Sequence, residues 1–358
     1  MNERRSTGQH ASSPLVEVRN LKKHFPVQRD FITKLLSGGE DEYVRAVDGV
    51  SFTIQRGEVF GLAGESGSGK TTVGRLVLNL EEPTEGEVIF DGIPLSTLPA
   101  EEMRRLRRRM QLIFQDPLAS LNPRMSIGEA IGHGYKIHFP EKSAEERRRV
   151  VEEIMEHVGL TPARMLYNKF PHQLSGGQRQ RAVIARALVT HPDLIVADEP
   201  IAMADVSVRV LLLDLMKRLK EEFNLTYLFI THDLATAKYI CDRIGVMYLG
   251  KMAEIGELRE VYSHAAHPYT EALLAAVPVP DPEVRRTTPL PTGEIPNPIN
   301  PPPGCRFHPR CPLAVKGVCD EIEPQLRPVG GNAAHLAACH LRTGDYQHLD
   351  PTRRTGEG

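Results

Sequence analysis

The sequence predicts an α/β chain with a parallel sheet, followed by a small cysteine-ligated module at its C-terminal end. Three observations carry that prediction. Apolar runs of strand length alternate with helix-period segments, the pattern of parallel strands whose functional loops sit at their carboxyl ends. One of those runs, in VFGLAGESGSGKTTVGRLVLNL (Val59 to Leu80), passes through a glycine-rich turn straight into a helix. Finally, four of the five cysteines fall in the last sixth of the 358 residues.

Residues 1–13 are polar and read as a disordered tail. LVEVRNL (Leu15–Leu21) and the segment Val50–Ile54 alternate apolar and polar residues, as half-buried strands do. The connection between them contains Tyr43, an aromatic upstream of the glycine-rich turn that either stacks on a base or packs the connection down. EEMRRLRRR (Glu101–Arg109) predicts a helix with a basic end, read as a solvated face or a surface for acidic neighbours. The strand MQLIF delivers Gln115 to a loop. Helices follow at 126–134 and 143–158, the second capped by Ser143 with Glu146 three residues on. DLIVADEP is a buried strand ending in Asp198 and Glu199, a helix spans 206–222, and the strand LTYLFI ends at Thr231, His232 and Asp233. Short strands lie between Asp242 and Gly256 and a helix at 267–277, with a proline-rich stretch beyond. The segments divide the chain into 1–13, a nucleotide-binding domain over 14–262, an extension over 263–345 and a tail over 346–358.

The chemistry is concentrated at five places. Gly64, Gly67, Gly69, Lys70 and Thr71 fit G-x-x-x-x-G-K-[ST] at every position, and the cradle formed with Glu65, Ser66, Ser68 and Thr72 is suited to a nucleoside triphosphate. Its glycines let backbone N–H groups face a polyanion, Lys70 reaches the β- and γ-phosphates, and the Thr71 hydroxyl meets Mg²⁺. Asp198 suits the Mg²⁺ shell, Glu199 the attacking water, and His232 the γ-phosphate. Gln115 sits where it can touch Mg²⁺ or that water. Leu174, Ser175, Gly176, Gly177 and Gln178 open a second helix with anion-facing amides. Two such cradles in one chain make sense when the second serves a nucleotide held by another subunit.

These motifs, in this order, resemble the nucleotide-binding domains of ATP-binding cassette (ABC) transporters, over roughly residues 14–345. HPYTEALLAAVP and NPINPPPGCRFHPRCPLA further resemble the C-terminal extension of ATPase subunits of oligopeptide and dipeptide importers. The resemblance implies a phosphate-loop NTPase fold with a helical subdomain. It also implies a dimer in which Ser175 to Gln178 complete the partner's ATP site, Glu199 acts as the catalytic carboxylate, His232 as the switch residue and Gln115 as the nucleotide sensor. The implied partners are a second ATPase subunit, two transmembrane permease subunits docking near 116–134, and an extracytoplasmic solute-binding protein, at the cytoplasmic face of the membrane. Where the family usually has S-A-L-D, this chain has Ala202, Met203, Ala204 and Asp205, a departure at the dimer interface that suggests inequivalent ATP sites and a different second ATPase.

Cys305, Cys311, Cys319 and Cys339 have the spacing C-x5-C-x7-C-x19-C. Four thiolates in a region short of hydrophobic mass suggest a metal centre, with Zn²⁺ the default on composition. The resemblance implies a [4Fe–4S] cluster instead. Cys241 reads as a small buried hydrophobe.

A net charge of -2 and a single phosphate loop argue against a soluble cassette protein acting on nucleic acid or ribosomes, the reading furthest from transport. An importer for nickel or an oligosaccharide is the nearer alternative. No signal-type N-terminus and no run of about 18 apolar residues appears, which suggests a cytoplasmic protein.

Overall fold

Strand length and alternation sort the chain into two sheets. In the computed structural model, residues 13–27, 42–277 and 293–352 are described; the expectations for the tail before residue 13, for 28–41 of the first connection, for 278–292 of the proline-rich stretch and for 353–358 lie outside them. In chain order the strands are β1 (Val16–Pro26), β2 (Tyr43–Ile54), β3 (Val59–Ala63), β4 (Glu85–Phe90), β5 (Ile93–Pro94), β6 (Met110–Ile113), β7 (Leu194–Asp198), β8 (Thr226–Thr231), β9 (Arg243–Tyr248), β10 (Lys251–Glu257), β11 (Arg327–Val329) and β12 (Asn332–Ala337). An antiparallel sheet has the order β2-β1-β4-β5, and a larger one β11-β12-β10-β9-β3-β8-β7-β6. Within the larger sheet β9, β3, β8, β7 and β6 run parallel.

The parallel strands are buried on both faces, and their residues divide by alternation. Phe60 and Leu62 of β3, Val196 of β7 and Leu228 and Ile230 of β8 pack with Val73, Leu76 and Val77 of the helix Lys70–Val77 and with the antiparallel sheet. Ile195 and Ala197 of β7 and Tyr227 and Phe229 of β8 face the other way, onto Leu212, Met216 and Leu219 of the helix Val206–Phe223. Each strand is thereby fixed in register, because a one-residue slip would exchange its two faces. The helices Ile127–His138, Ala144–His157 and Gly176–Leu188 join the second of these cores through Ile131, Val151, Ile154 and Val183, forming the helical subdomain. The box between Ser143 and Glu146 is present, and Ser126 and Glu129 make another.

The C-terminal extension corrects one sequence expectation. Among the described residues no group of three or more His, Cys, Asp or Glu is placed to hold a metal ion. Cys305, Cys311, Cys319 and Cys339 form no disulfide, and the expected cysteine-ligated module, with its [4Fe–4S] cluster or Zn²⁺, is not found among the described residues. Burial pushes the Cys305 and Cys311 thiols up to about 12 and that of Cys339 to about 11. Other contacts supply the stability that the sequence argument assigned to a metal. Phe307 packs against Tyr248 and Tyr269 with ring centroids 5.3 Å from each, and Cys305 and Cys311 pad that cluster as apolar groups. β12 pairs with β10, so the extension continues the sheet that carries the parallel strands. Arg306, buried, is paired with Asp48 of β2 and donates to the Leu249 carbonyl. Glu254 of β10 is fully buried, accepting from the amides of Ala266 and His267 and bonding His335 of β12 at 2.7 Å.

Candidate nucleotide site

Five apolar residues of β3 end at Ala63, and the chain then turns through Gly64 to Gly69 into the helix that begins at Lys70. Two glycines are required by close approach. At Gly64 a Cβ would lie 2.2 Å from the Met247 carbonyl oxygen, and at Gly69, with φ of 101°, 2.1 Å from that of Ala46. The phosphate loop is therefore wedged between β9 and β2. Tyr43, three residues before Ala46, opens β2 and is 43% exposed.

Lys70 is buried and turned into its own loop, its Nζ donating to the carbonyls of Gly64 and Glu65, each at 2.8 Å, and to Ser68 Oγ at 3.3 Å. Burial pushes its ammonium down, an effect offset by the carboxylates of Glu199, Asp198 and Glu65. An ammonium held by neutral carbonyls in a glycine-rich hollow is matched to phosphate oxygens, which are stronger acceptors. Thr71 Oγ1 donates to Asp198 Oδ1 at 3.2 Å, bringing together the hydroxyl and carboxylate expected around Mg²⁺. Burial pushes the Asp198 carboxyl above its ordinary value, and Thr71 and Lys70 oppose the rise, so a cation beside it relieves the strain on its charge.

Glu199 follows β7 with φ of 48° and its amide bonded to the Ile230 carbonyl of β8. Both of its carboxylate oxygens are engaged. Gln115 Nε2 donates to Oε2 at 2.9 Å, and His232 Nδ1 lies 2.9 Å from Oε1. Because a carboxylate accepts, Nδ1 carries the proton, leaving Nε2 of the 57% exposed imidazole free to turn to solvent or ligand. Gln115, Glu199 and His232 thus come together from the carboxyl ends of the neighbouring strands β6, β7 and β8, beside the loop that follows β3.

The residues Leu174 to Gln178 stand elsewhere. Ser175 caps Gly176–Leu188 by accepting from the Gln178 amide at 3.2 Å, while Gln178 accepts from the Ser175 amide at 3.0 Å. Ser175, Gly176 and Gly177 line one cleft with Asp116, Met203, Ala204 and Asp205, and Met203 is 67% exposed there. Ala202, whose amide bonds the Glu199 carbonyl, connects this turn to the carboxylate.

Two contacts at the site were not foreseen. Glu65 of the loop receives both terminal nitrogens of Arg310, at 2.8 and 3.1 Å, and its amide donates to the Tyr269 hydroxyl at 2.8 Å. The HPY and HPRC segments that contain these residues were visible in the sequence, yet nothing in their spacing relates them to residue 65.

The fold and this site define a nucleoside-triphosphate-binding cassette. A family described as ABC transporter matches residues 47–202, and one described as oligopeptide/dipeptide transporter, C-terminal region, matches 253–319. A putative peptide import ATP-binding protein of Brucella ovis is 49% identical over 327 residues, spanning 91% of this chain and 98% of its own length. The oligopeptide transport ATP-binding protein AppF of Bacillus subtilis is 46% identical over 330 residues, 91% of this chain and 97% of that protein. The dimeric, post-hydrolysis structure of the ATP-binding cassette MJ0796 bound to ADP and Pi superposes with a TM-score of 0.59 at 32% identity, over 68% of this chain and 99% of that one. The cbiO1 structure from Clostridium perfringens, part of the cbiONQ transporter complex, gives 0.58 at 27% identity, over 70% and 91%. The chain belongs to the ABC transporter ATPases and is an ATP-hydrolysing subunit. Its family builds importers from two ATPases, two permeases and a solute-binding protein. Among the described residues no helix is long and apolar enough to cross a membrane.

Proposed function

We propose that this chain powers peptide import through a membrane permease, working at the cytoplasmic face of the membrane beside a second, different ATPase subunit. The observation that carries its catalytic part is Glu199 held between Gln115 and His232 next to the Thr71–Asp198 pair. On this reading the loop Gly64 to Thr72 cradles the phosphates, Tyr43 stacks on adenine, and Lys70 exchanges its carbonyl partners for β- and γ-phosphate oxygens. Thr71, Asp198 and Gln115 would hold Mg²⁺, which when bound neutralises charge on the phosphates. Glu199 accepts the proton of a water as its oxygen attacks the γ-phosphorus, and ADP leaves with the bond to the γ-phosphate broken. Gln115 and His232 keep the carboxylate aimed during this transfer.

Peptide as the cargo is supported by the relatives named for peptide and oligopeptide transport and by the matching C-terminal region. The division into a cassette over 14–262 and an extension over 263–345 belongs to the same reading. Leu174 to Gln178 serve the ATP of the opposite subunit, with Ala202 to Asp205 beside them at the interface. Loss of a hydroxyl and of side-chain volume at Ala202 and Ala204 supports pairing with an unlike subunit. The groove containing the exposed Phe114 and Leu80 with Met125 and His133 suits a docking permease helix.

The test is Glu199→Gln in the assembled importer. Retained ATP binding with hydrolysis and peptide uptake both abolished is the expected result; uptake that continues at the normal rate refutes the assignment. Changing the corresponding glutamate in only one ATPase subunit at a time tests the unlike pair, since equal losses from either change would argue for equivalent sites.

A further inference from the structure

Glu65 is gripped by every polar group it has. Its carbonyl receives Lys70 from the nucleotide side, while its amide and its carboxylate are bound from the opposite side by Tyr269 and Arg310 of the extension. These grips differ in what nucleotide binding does to them. Lys70 must release the carbonyl to reach a phosphate, so one of the loop's own restraints disappears when the ligand arrives. The outer two remain. Arg310 is 9% exposed, and its guanidinium also comes within 3.4 Å of the Tyr248 hydroxyl. Tyr248 ends β9, whose neighbouring Met247 carbonyl is the atom that confines Gly64. Tyr269 and Phe307 pack on the same Tyr248 ring. The brace is thus rooted in the sheet and in the extension at once.

We propose that Arg310, with Tyr269, is a positioning residue for ATP: the extension braces the phosphate loop from outside and keeps it in its binding shape before nucleotide arrives. The inference rests on reading residues 64–72 as the nucleotide cradle. A bidentate guanidinium–carboxylate pair holds direction as well as distance, which suits a group whose task is to fix a turn. Without it, Glu65 is left with a carboxylate that must find water, and the loop samples shapes in which its amides diverge. The ordering cost then falls on ATP binding, weakening affinity while leaving the bound state's chemistry intact.

The experiment measures ATP affinity of the full chain by titration with a fluorescent ATP analogue, and KM and kcat for ATP in the assembled importer. Arg310→Ala raises Kd and KM about tenfold with kcat at saturation within about twofold, the scale of coupling carried by one contact network. Arg310→Lys, which keeps the charge and loses the fork, recovers part of the affinity. Glu65→Gln combined with Arg310→Ala is no worse than Arg310→Ala alone, because both remove one interaction. Arg342→Ala is the control for loosening of the extension, since Arg342 pairs with Glu271 and Asp350 and makes no contact with the loop; it lowers thermal stability and leaves KM unchanged. A folded Arg310→Ala with unchanged KM overturns the brace, as does an equal rise in KM from Arg342→Ala. Lys70→Ala in the same titration separates the two readings, because retained affinity there defeats the cradle itself.

Discussion

The phosphate loop and the cysteine-bearing extension are the two regions where this chain concentrates reactive side chains, and they use them in opposite ways. In the loop, Lys70, Thr71, Asp198 and Glu199 are held close together around a hollow, each bound to a group that a ligand can replace or share. In the extension the thiols of Cys305 and Cys311 pack among aromatic rings, and the groups that act at a distance are Arg306, Arg310 and His335. The difference follows from what positions them. The loop residues stand at the ends of parallel strands whose register is set by two-sided burial, so their convergence is enforced. The cysteines stand in turns and at the end of a short strand, where spacing in sequence does not fix spacing in three dimensions.

The largest effect that would break this contrast is at Lys70. Lys70→Ala removes a buried cation from a hollow built around it and lowers ATP turnover by at least about a hundredfold, the scale of removing one preorganised donor from a reacting centre. Steady-state hydrolysis of the assembled importer measures it. Gly69→Ala acts on the same site through the backbone, since the added methyl meets the Ala46 carbonyl at a φ that disfavours side chains. It costs on the order of 1–3 kcal/mol of strain and displaces the loop from β2. Denaturant unfolding and nucleotide titration should show both losses together; a full-affinity Gly69→Ala would mean that the loop is not wedged as described.

How much of this was legible in the sequence differs between the regions for the same reason. The strand runs VFGLA, LIVAD and TYLFI announce buried parallel strands, and the residues that follow each one could be assigned to one site before any geometry was known. Gln115, Glu199 and His232 meet as the strand ends demand. The extension could not be read this way. Its pairing of Leu336 with Ile255 and its Arg310–Glu65 contact span 81 and 245 residues, and no periodicity encodes them. Four cysteines in a proline-rich stretch look like metal ligands in the sequence because the aromatic mass around Cys305 and Cys311 lies far off along the chain, at Tyr248 of β9 and Tyr269 of the helix Pro268–Ala276.

A smaller effect distinguishes the regions by pH. His267 is buried and its imidazole is lowered to about 4 from an ordinary 6.5 by burial, with Glu254 opposing the shift. Its Nδ1 accepts from the Tyr269 amide and its own amide donates to Glu254, while Glu254 also faces His335. Between those two values the unfolded chain binds the proton and the folded chain does not. This contribution to stability is therefore complete above pH 6.5 and is lost as pH falls toward about 4, with a limiting slope of about 1.4 kcal/mol per pH unit. Unfolding midpoints at pH 7, 6 and 5 should fall more steeply for the native chain than for His267→Asn, which keeps a cap acceptor without the titrating ring. Parallel pH dependence in the two would remove His267 as the cause.

The smallest effects are expected at the cysteines, and they sharpen the comparison most. Cys305 and Cys311 flank the turn His308–Arg310 and contribute sulfur to the packing around Phe307. Changing either to Ala removes one buried atom from an otherwise intact cluster, a loss of about 1 kcal/mol. The thermal midpoint drops by a few degrees at most, and KM and kcat for ATP stay as they were, because the Arg310 fork on Glu65 survives the loss of a neighbouring sulfur. Arg310→Ala, one residue from Cys311, has the reverse profile. If Cys311→Ala raised KM as Arg310→Ala does, the thiols would have to be counted with the phosphate loop, and the division between a region that reacts and a region that braces would fail.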